Sequence, residues 1–148
     1  MKLARKPARL ILLIAVFSAL AFWMILWPQP KELIPWRNNY AAAAAESHQT
    51  GKPLFLYFTA TWCGPCQSLR ATTWADRTVA AELAGYVPVK LDVDHQSTAD
   101  LQRLYHVNDM GIPFFVILDK SGNLVRSDVG ARPPEDFLRW FKGQEQLN

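Results

Sequence analysis

The chain has 148 residues, half of them hydrophobic and 20% charged, with 10 Pro, 7 Gly and 2 Cys. That describes one domain of ordinary size with an appendage, too apolar for a disordered chain and too poor in cysteine for a disulfide-dense mini-protein or a four-cysteine zinc site. The formal charge of +3 comes from residues 1–27, which hold four bases and no acid; the remainder has 12 bases against 13 acids, so no nucleic-acid partner is expected.

Leu10 to Trp27 (LILLIAVFSALAFWMILW) is apolar apart from Ser18. As a helix rising about 1.5 Å per residue it nearly crosses a ~30 Å hydrocarbon core. Trp23 and Trp27 fall at its outer interface, and Pro28 and Pro30 stop it. Lys2, Arg5, Lys6 and Arg9 precede the run, so the positive-inside rule holds the N-terminus in the cytoplasm and puts the rest outside. The competing reading is a cleaved signal peptide, with Ala19-Leu20-Ala21 as the cleavage site. The apolar run continues through Phe22 to Trp27, which favours the anchor. Both readings export the remainder of the chain.

Residues 28–35 (PQPKELIP) read as a stiff spacer, and residues 36–148 as the domain. Trp36 to Ser47 is Ala-rich and predicts a helix ending before Gly51 and Pro53. Leu54 to Thr59 (LFLYFT) predicts a buried strand. A helix is expected over Cys63 to Trp74, with Pro65 in its first turn, and another over Thr78 to Ala84, capped by Asp76 and closed by Gly85. Tyr86 to Asp92 is the next strand and Thr98 to Tyr105 the next helix. Phe114 to Leu118 (FFVIL) is a strand turned by residues 119–123 into a partner over Leu124 to Asp128. Pro133 and Pro134 open a last helix with Phe137, Leu138, Trp140 and Phe141 on its apolar face. This order implies an α/β fold, a mixed central sheet with helices on both faces.

The two cysteines stand in Trp62-Cys63-Gly64-Pro65-Cys66, between a strand and a helix start. There the macrodipole and unpaired N–H groups favour thiolate over thiol. A second thiol one turn on can attack the mixed disulfide that the first one forms. Cys63 is therefore the expected nucleophile and Cys66 the resolving thiol. Zinc would need further ligands, and His48, His95 and His106 stand at no metal spacing, so no metal or other cofactor is expected beyond the redox-active pair itself. Haem attachment would need a histidine where Gln67 stands. The Asp92, Asp94 and Asp100 group lacks calcium-loop spacing and reads as a solvated strand end and helix cap.

From about Trp36 to Phe141 the chain resembles the thioredoxin superfamily. WCGPC matches its active-site motif, Lys90 to Asp94 (KLDVD) looks like its KxxxD strand end, and Gly111-Ile112-Pro113 looks like the loop that carries its cis proline. Gly51-Lys52-Pro53 and Thr73-Trp74 are similar to the C-terminal domain of the membrane reductase DsbD and related anchored proteins. The resemblance implies a thioredoxin-like fold and a substrate groove formed by Trp62, Gly64, Pro65, Gly111, Ile112 and Pro113. Such a groove accepts an extended segment as a short added strand. Trp62 could instead be core packing. One departure concerns the buried carboxylate that thioredoxins carry six residues before the first cysteine. Here that position is Tyr57, and a phenol of pKa near 10 is a poor base. Tyr57 and Lys90 are the expected modulators of Cys66.

The function expected is that of a membrane-anchored thiol–disulfide oxidoreductase, a monomer of the inner membrane facing the periplasm. Its substrates would be exported proteins, apocytochrome c cysteines among the plausible acceptors, and an integral-membrane carrier would be its electron donor. Gly64-Pro65 and Ile112 resemble the reducing members of the superfamily. An oxidase or isomerase working in the opposite direction, and an anchored binding or holdase module without turnover, are the alternatives.

Overall fold

A computed structural model describes residues 6–26 and 31–144. The first helix, α1, is Lys6–Leu26. Its described side chains begin at Leu10, and Trp27, Pro28 and Pro30 lie outside the described residues. Within those bounds no helix is long and apolar enough to cross a membrane.

After α1 come α2 (Tyr40–Thr50), β1 (Leu54–Thr59), α3 (Gly64–Ala71), α4 (Arg77–Leu83), β2 (Val87–Asp92), α5 (Ala99–Leu104), α6 (Val107–Met110), β3 (Phe114–Leu118), β4 (Leu124–Val129) and α7 (Pro134–Phe141). The strands form one sheet in the order β2-β1-β3-β4. β1 runs parallel to β2 and antiparallel to β3, and β3 is antiparallel to β4. The sheet is thus mixed, as the order of elements implied.

Alternation along β1 assigns its side chains to two cores. Leu54, Leu56 and Phe58 join Val87, Val89 and Leu91 of β2, Phe114, Val116 and Leu118 of β3, and Ala43 and Val107 from the helices on that face. Phe55 and Tyr57 face the other way, toward Leu69, Trp74, Val79 and Leu83 and toward Phe137, Trp140 and Phe141 of α7. Both cysteines belong to this second, aromatic-rich core. β1 is buried along its whole length, which is why LFLYFT is continuously apolar.

Several elements differ from expectation. The helix predicted from Trp36 starts at Tyr40, because Asn39 caps it by accepting the Ala42 N–H at 2.9 Å. Trp36 packs instead beside Tyr57 and Trp74, with ring centroids 5.4 and 5.3 Å away. The helix predicted over Cys63 to Trp74 stops at Ala71. Thr72 leaves helical geometry (φ −121°, ψ −81°), and Thr73–Ala75 form a 3₁₀ turn that buries Trp74. The helix expected over Thr98 to Tyr105 is preceded by a 3₁₀ turn at Gln96–Thr98, and α6 comes after His106 at φ +56°. The stretch expected as a spacer packs onto the domain from at least Glu32. Ile34 is buried in the aromatic core, and the Leu33 N–H donates to the Trp74 carbonyl at 2.7 Å.

Candidate active site

Cys63 and Cys66 form a disulfide at the start of α3. Cys63 occupies the N-cap in extended conformation, and its Sγ accepts the Cys66 backbone N–H at 3.2 Å. Pro65 sits in the first turn, where its missing N–H costs nothing. Both cysteines are nearly buried, 3% and 2% exposed, while Trp62, Gly64 and Pro65 around them are exposed. β1 ends at Thr59 and the 60–62 turn leads directly into the helix, so the sheet fixes where the sulfurs lie.

The loop before β3 supplies the opposing wall. The Ile112–Pro113 peptide is cis, and the Ile112 carbonyl oxygen lies 3.8 Å from Cys63 Sγ. Gly111 adopts φ +89°, a conformation L side chains rarely take. A cleft of about 300 Å³ is lined by Trp62, Gly111 and Ile112 together with Val93, Asp94 and Gln102. Trp62 is 65% exposed, so it does not pack in the core. Its indole N–H donates to Asp94 Oδ2 at 2.7 Å, which fixes the ring beside the disulfide. In sequence Asp94 reads as no more than a solvated strand end; its place in the KxxxD motif is the signal that points to the site.

A second cavity, about 470 Å³, opens on Cys66 and is lined by Trp36, Thr59, Gln67, Arg70, Lys90 and Asp92 among others. Tyr57 pairs with Lys90 across β1 and β2, so the two side chains share the face that carries the cysteines. The Tyr57 hydroxyl and the Trp74 indole N–H are buried and neither has a described hydrogen-bond partner. Burial pushes the Tyr57 phenol upward, outweighing nearby Thr59 and Trp74, which oppose it. Tyr57 therefore keeps its proton at neutral pH and cannot serve as a base there. Lys90 is held by Glu32, whose Oε1 and Oε2 lie 2.8 and 3.0 Å from Nζ. Nothing in sequence separation points to Glu32.

The three histidines lie elsewhere. His48 lies in the last turn of α2, His95 faces Ser97, and His106 makes an exposed contact with Asp109. Among the described residues no group of His, Cys, Asp and Glu could hold a metal ion.

This arrangement of sheet, helix, cysteine pair and cis-proline loop recurs in known proteins. The thiol:disulfide interchange protein DsbD of Actinobacillus pleuropneumoniae is 32% identical over 93 residues, covering 62% of this chain and 16% of that protein. The chain thus spans about a sixth of the length of that relative. A thioredoxin from Thermus thermophilus superposes with TM-score 0.66 at 28% identity, covering 75% of this chain and 86% of its own. The C-terminal domain of Neisseria meningitidis DsbD, in its oxidised form, shares the fold with TM-score 0.60 at 20% identity, covering 74% and 99%. The family model described as thioredoxin-like matches residues 35–120, more than half of the chain and the whole stretch from Trp36 through both cysteines to β3. The fold, the cysteine pair and this match agree: the chain belongs to the thioredoxin-like family and carries a thiol–disulfide oxidoreductase domain.

Proposed function

We propose that the protein is a membrane-anchored reductase of disulfides in exported proteins. The observation that carries the redox cycle is the seating of Cys63: capped by the Cys66 N–H, 3.8 Å from the Ile112 carbonyl, and edged by the exposed Trp62. The Cys66 backbone N–H aimed at Cys63 Sγ, at the N-terminus of α3, favours its thiolate. That thiolate attacks a substrate disulfide, forming a Cys63–substrate bond and releasing one substrate sulfur as a thiolate that takes up a proton. Cys66 then loses its proton and attacks Cys63 Sγ. This breaks the mixed disulfide and leaves the Cys63–Cys66 bond, with two electrons passed to the substrate. An external dithiol must return those electrons, and an integral-membrane carrier is the donor we assign.

Two observations support the direction and the place. Gly64-Pro65 within the pair and Ile112 before the cis proline resemble the reducing members of the superfamily. The large apolar side chains described between Leu10 and Met24 are all exposed, a helix surface that water does not favour and lipid does. Acid quenching of intact cells, followed by alkylation with a mass tag, reads the state of the pair. A mostly reduced pair is expected. A mostly oxidised pair would favour the oxidase direction and overturn the reductase reading. Full complementation of a deletion by a Cys63→Ser, Cys66→Ser double variant would instead support a binding module without turnover.

A further inference from the structure

We infer that Glu32, carried by the segment between α1 and the domain, is a positioning residue that holds the cations beside Cys66 and thereby sets the protonation of the resolving thiol. The inference rests on the proposed reductase cycle, in which Cys66 resolves the mixed disulfide. Cys66 is 2% exposed, yet its thiol must ionise for that step. The charged or titratable groups on its side of the sheet are few. Lys90 and Asp92 come from β2, Arg70 from α3 and Tyr57 from β1. Glu32 binds the two cations, and Cys63 is the other sulfur. Tyr57, buried and protonated, is no base at neutral pH.

Glu32 makes four close contacts with one carboxylate. Oε1 lies 2.8 Å from both Lys90 Nζ and Arg70 Nε. Oε2 lies 3.0 Å from Lys90 Nζ and accepts the Trp36 indole N–H at 2.6 Å. Lys90, Arg70 and Trp36 all line the cavity onto which Cys66 opens. The Glu32 side chain is only 15% exposed, so its charge acts where water screens it least. The Arg70 side chain is 63% exposed and its arm of the network is screened; the Lys90 arm, at 28%, carries more of the effect.

The sign follows from charge. With Glu32 present, one carboxylate offsets one of the two cations, and a Cys66 thiolate gains less from them. Glu32→Gln removes that negative charge, leaves both cations unbalanced beside the sulfur and favours the thiolate. The carboxylate therefore disfavours the Cys66 thiolate. Glu32 and Trp36, though distant in sequence, become part of the redox centre.

The test uses the full-length chain in detergent carrying Cys63→Ser, so that Cys66 is the only thiol. The rate of alkylation of Cys66 against pH gives its titration midpoint. Adding Glu32→Gln is expected to raise the thiolate fraction below the midpoint by about tenfold, a downward move of ~1 pH unit. Adding Lys90→Gln to that variant takes away one of the two unbalanced cations, restores the original net charge and is expected to move the midpoint back, which a merely structural role of Glu32 would not do. An unmoved midpoint in the Glu32→Gln protein, or no return with Lys90→Gln, overturns the inference. The underlying reductase cycle fails separately: in the Cys66→Ser protein, a Cys63 that titrates no lower than Cys66 would deny it the role of nucleophile, whatever Glu32 does.

Discussion

The Tyr57 ring lies among Trp36, Trp74 and Phe115, with centroids 5.4, 5.1 and 5.7 Å away, and its hydroxyl is buried with no described hydrogen-bond partner. An unsatisfied buried hydroxyl costs stability that an apolar replacement of the same shape recovers. Tyr57→Phe is therefore expected to raise stability by about 1 kcal/mol, read as a higher urea midpoint, and to leave disulfide exchange intact. The same residue fixes an alkaline limit. Burial raises the Tyr57 phenol above its ordinary value near 10, so from that pH upward the unfolded chain loses a proton that the native state keeps. Stability falls as pH rises through this window, and less steeply in Tyr57→Phe; urea titrations at pH 9 and above read the difference. Asp94 acts on the partner side of the site. Asp94→Ala frees the Trp62 indole and is expected to raise KM for protein disulfides while reduction of a small aromatic disulfide stays near its normal rate. Equal loss on both substrates would show that Trp62 serves the chemistry and not the docking.

Elements in this chain are set by caps as much as by apolar runs. Asp76 Oδ1 accepts the N–H groups of Thr78 at 2.8 Å and Val79 at 3.0 Å, and so fixes where α4 begins after the 3₁₀ turn. Asp76→Ala is expected to cost about 1 kcal/mol, read as a lower urea midpoint at unchanged slope. Where a signal is local, the sequence is readable. LFLYFT and FFVIL announce the two central strands, Asp76 its helix, and the cysteine pair its helix start. The features that escape depend on contacts distant in the chain. Trp36 follows a proline and precedes an Ala-rich run, yet leaves the helix because the aromatic core offers its ring Tyr57 and Trp74. Thr72 breaks α3 where Thr73 Oγ1 bonds the Arg132 carbonyl at 2.6 Å, a partner 59 residues away. The groove is legible through Trp62, Gly111, Ile112 and Pro113. Glu32 is not, because its meaning lies in Lys90, 58 residues on.

At the scale of the whole molecule, the segment after α1, the helix proposed as the anchor, completes the domain. A chain begun at residue 31 retains the Leu33 N–H bond to Trp74, buried Ile34 and the Trp36 ring against Phe55, Tyr57 and Trp74. Without α1 it is expected in the soluble fraction after an alkaline wash, whereas the full-length chain stays with the membrane; release of both would remove the anchor. A chain begun at residue 38 lacks these contacts. It opens one side of the aromatic core and loses the parallel bridge of Arg37 to Val89 at the β2 edge. Removing a large aromatic side chain from such a core costs about 3 kcal/mol or more, a sizeable share of the ~5–15 kcal/mol that hold a domain. The shorter chain is expected to unfold at a markedly lower urea concentration than the chain begun at residue 31. Coincident urea curves for the two would mean that the segment packs without stabilising, and that the domain ends where the cap at Asn39 begins α2.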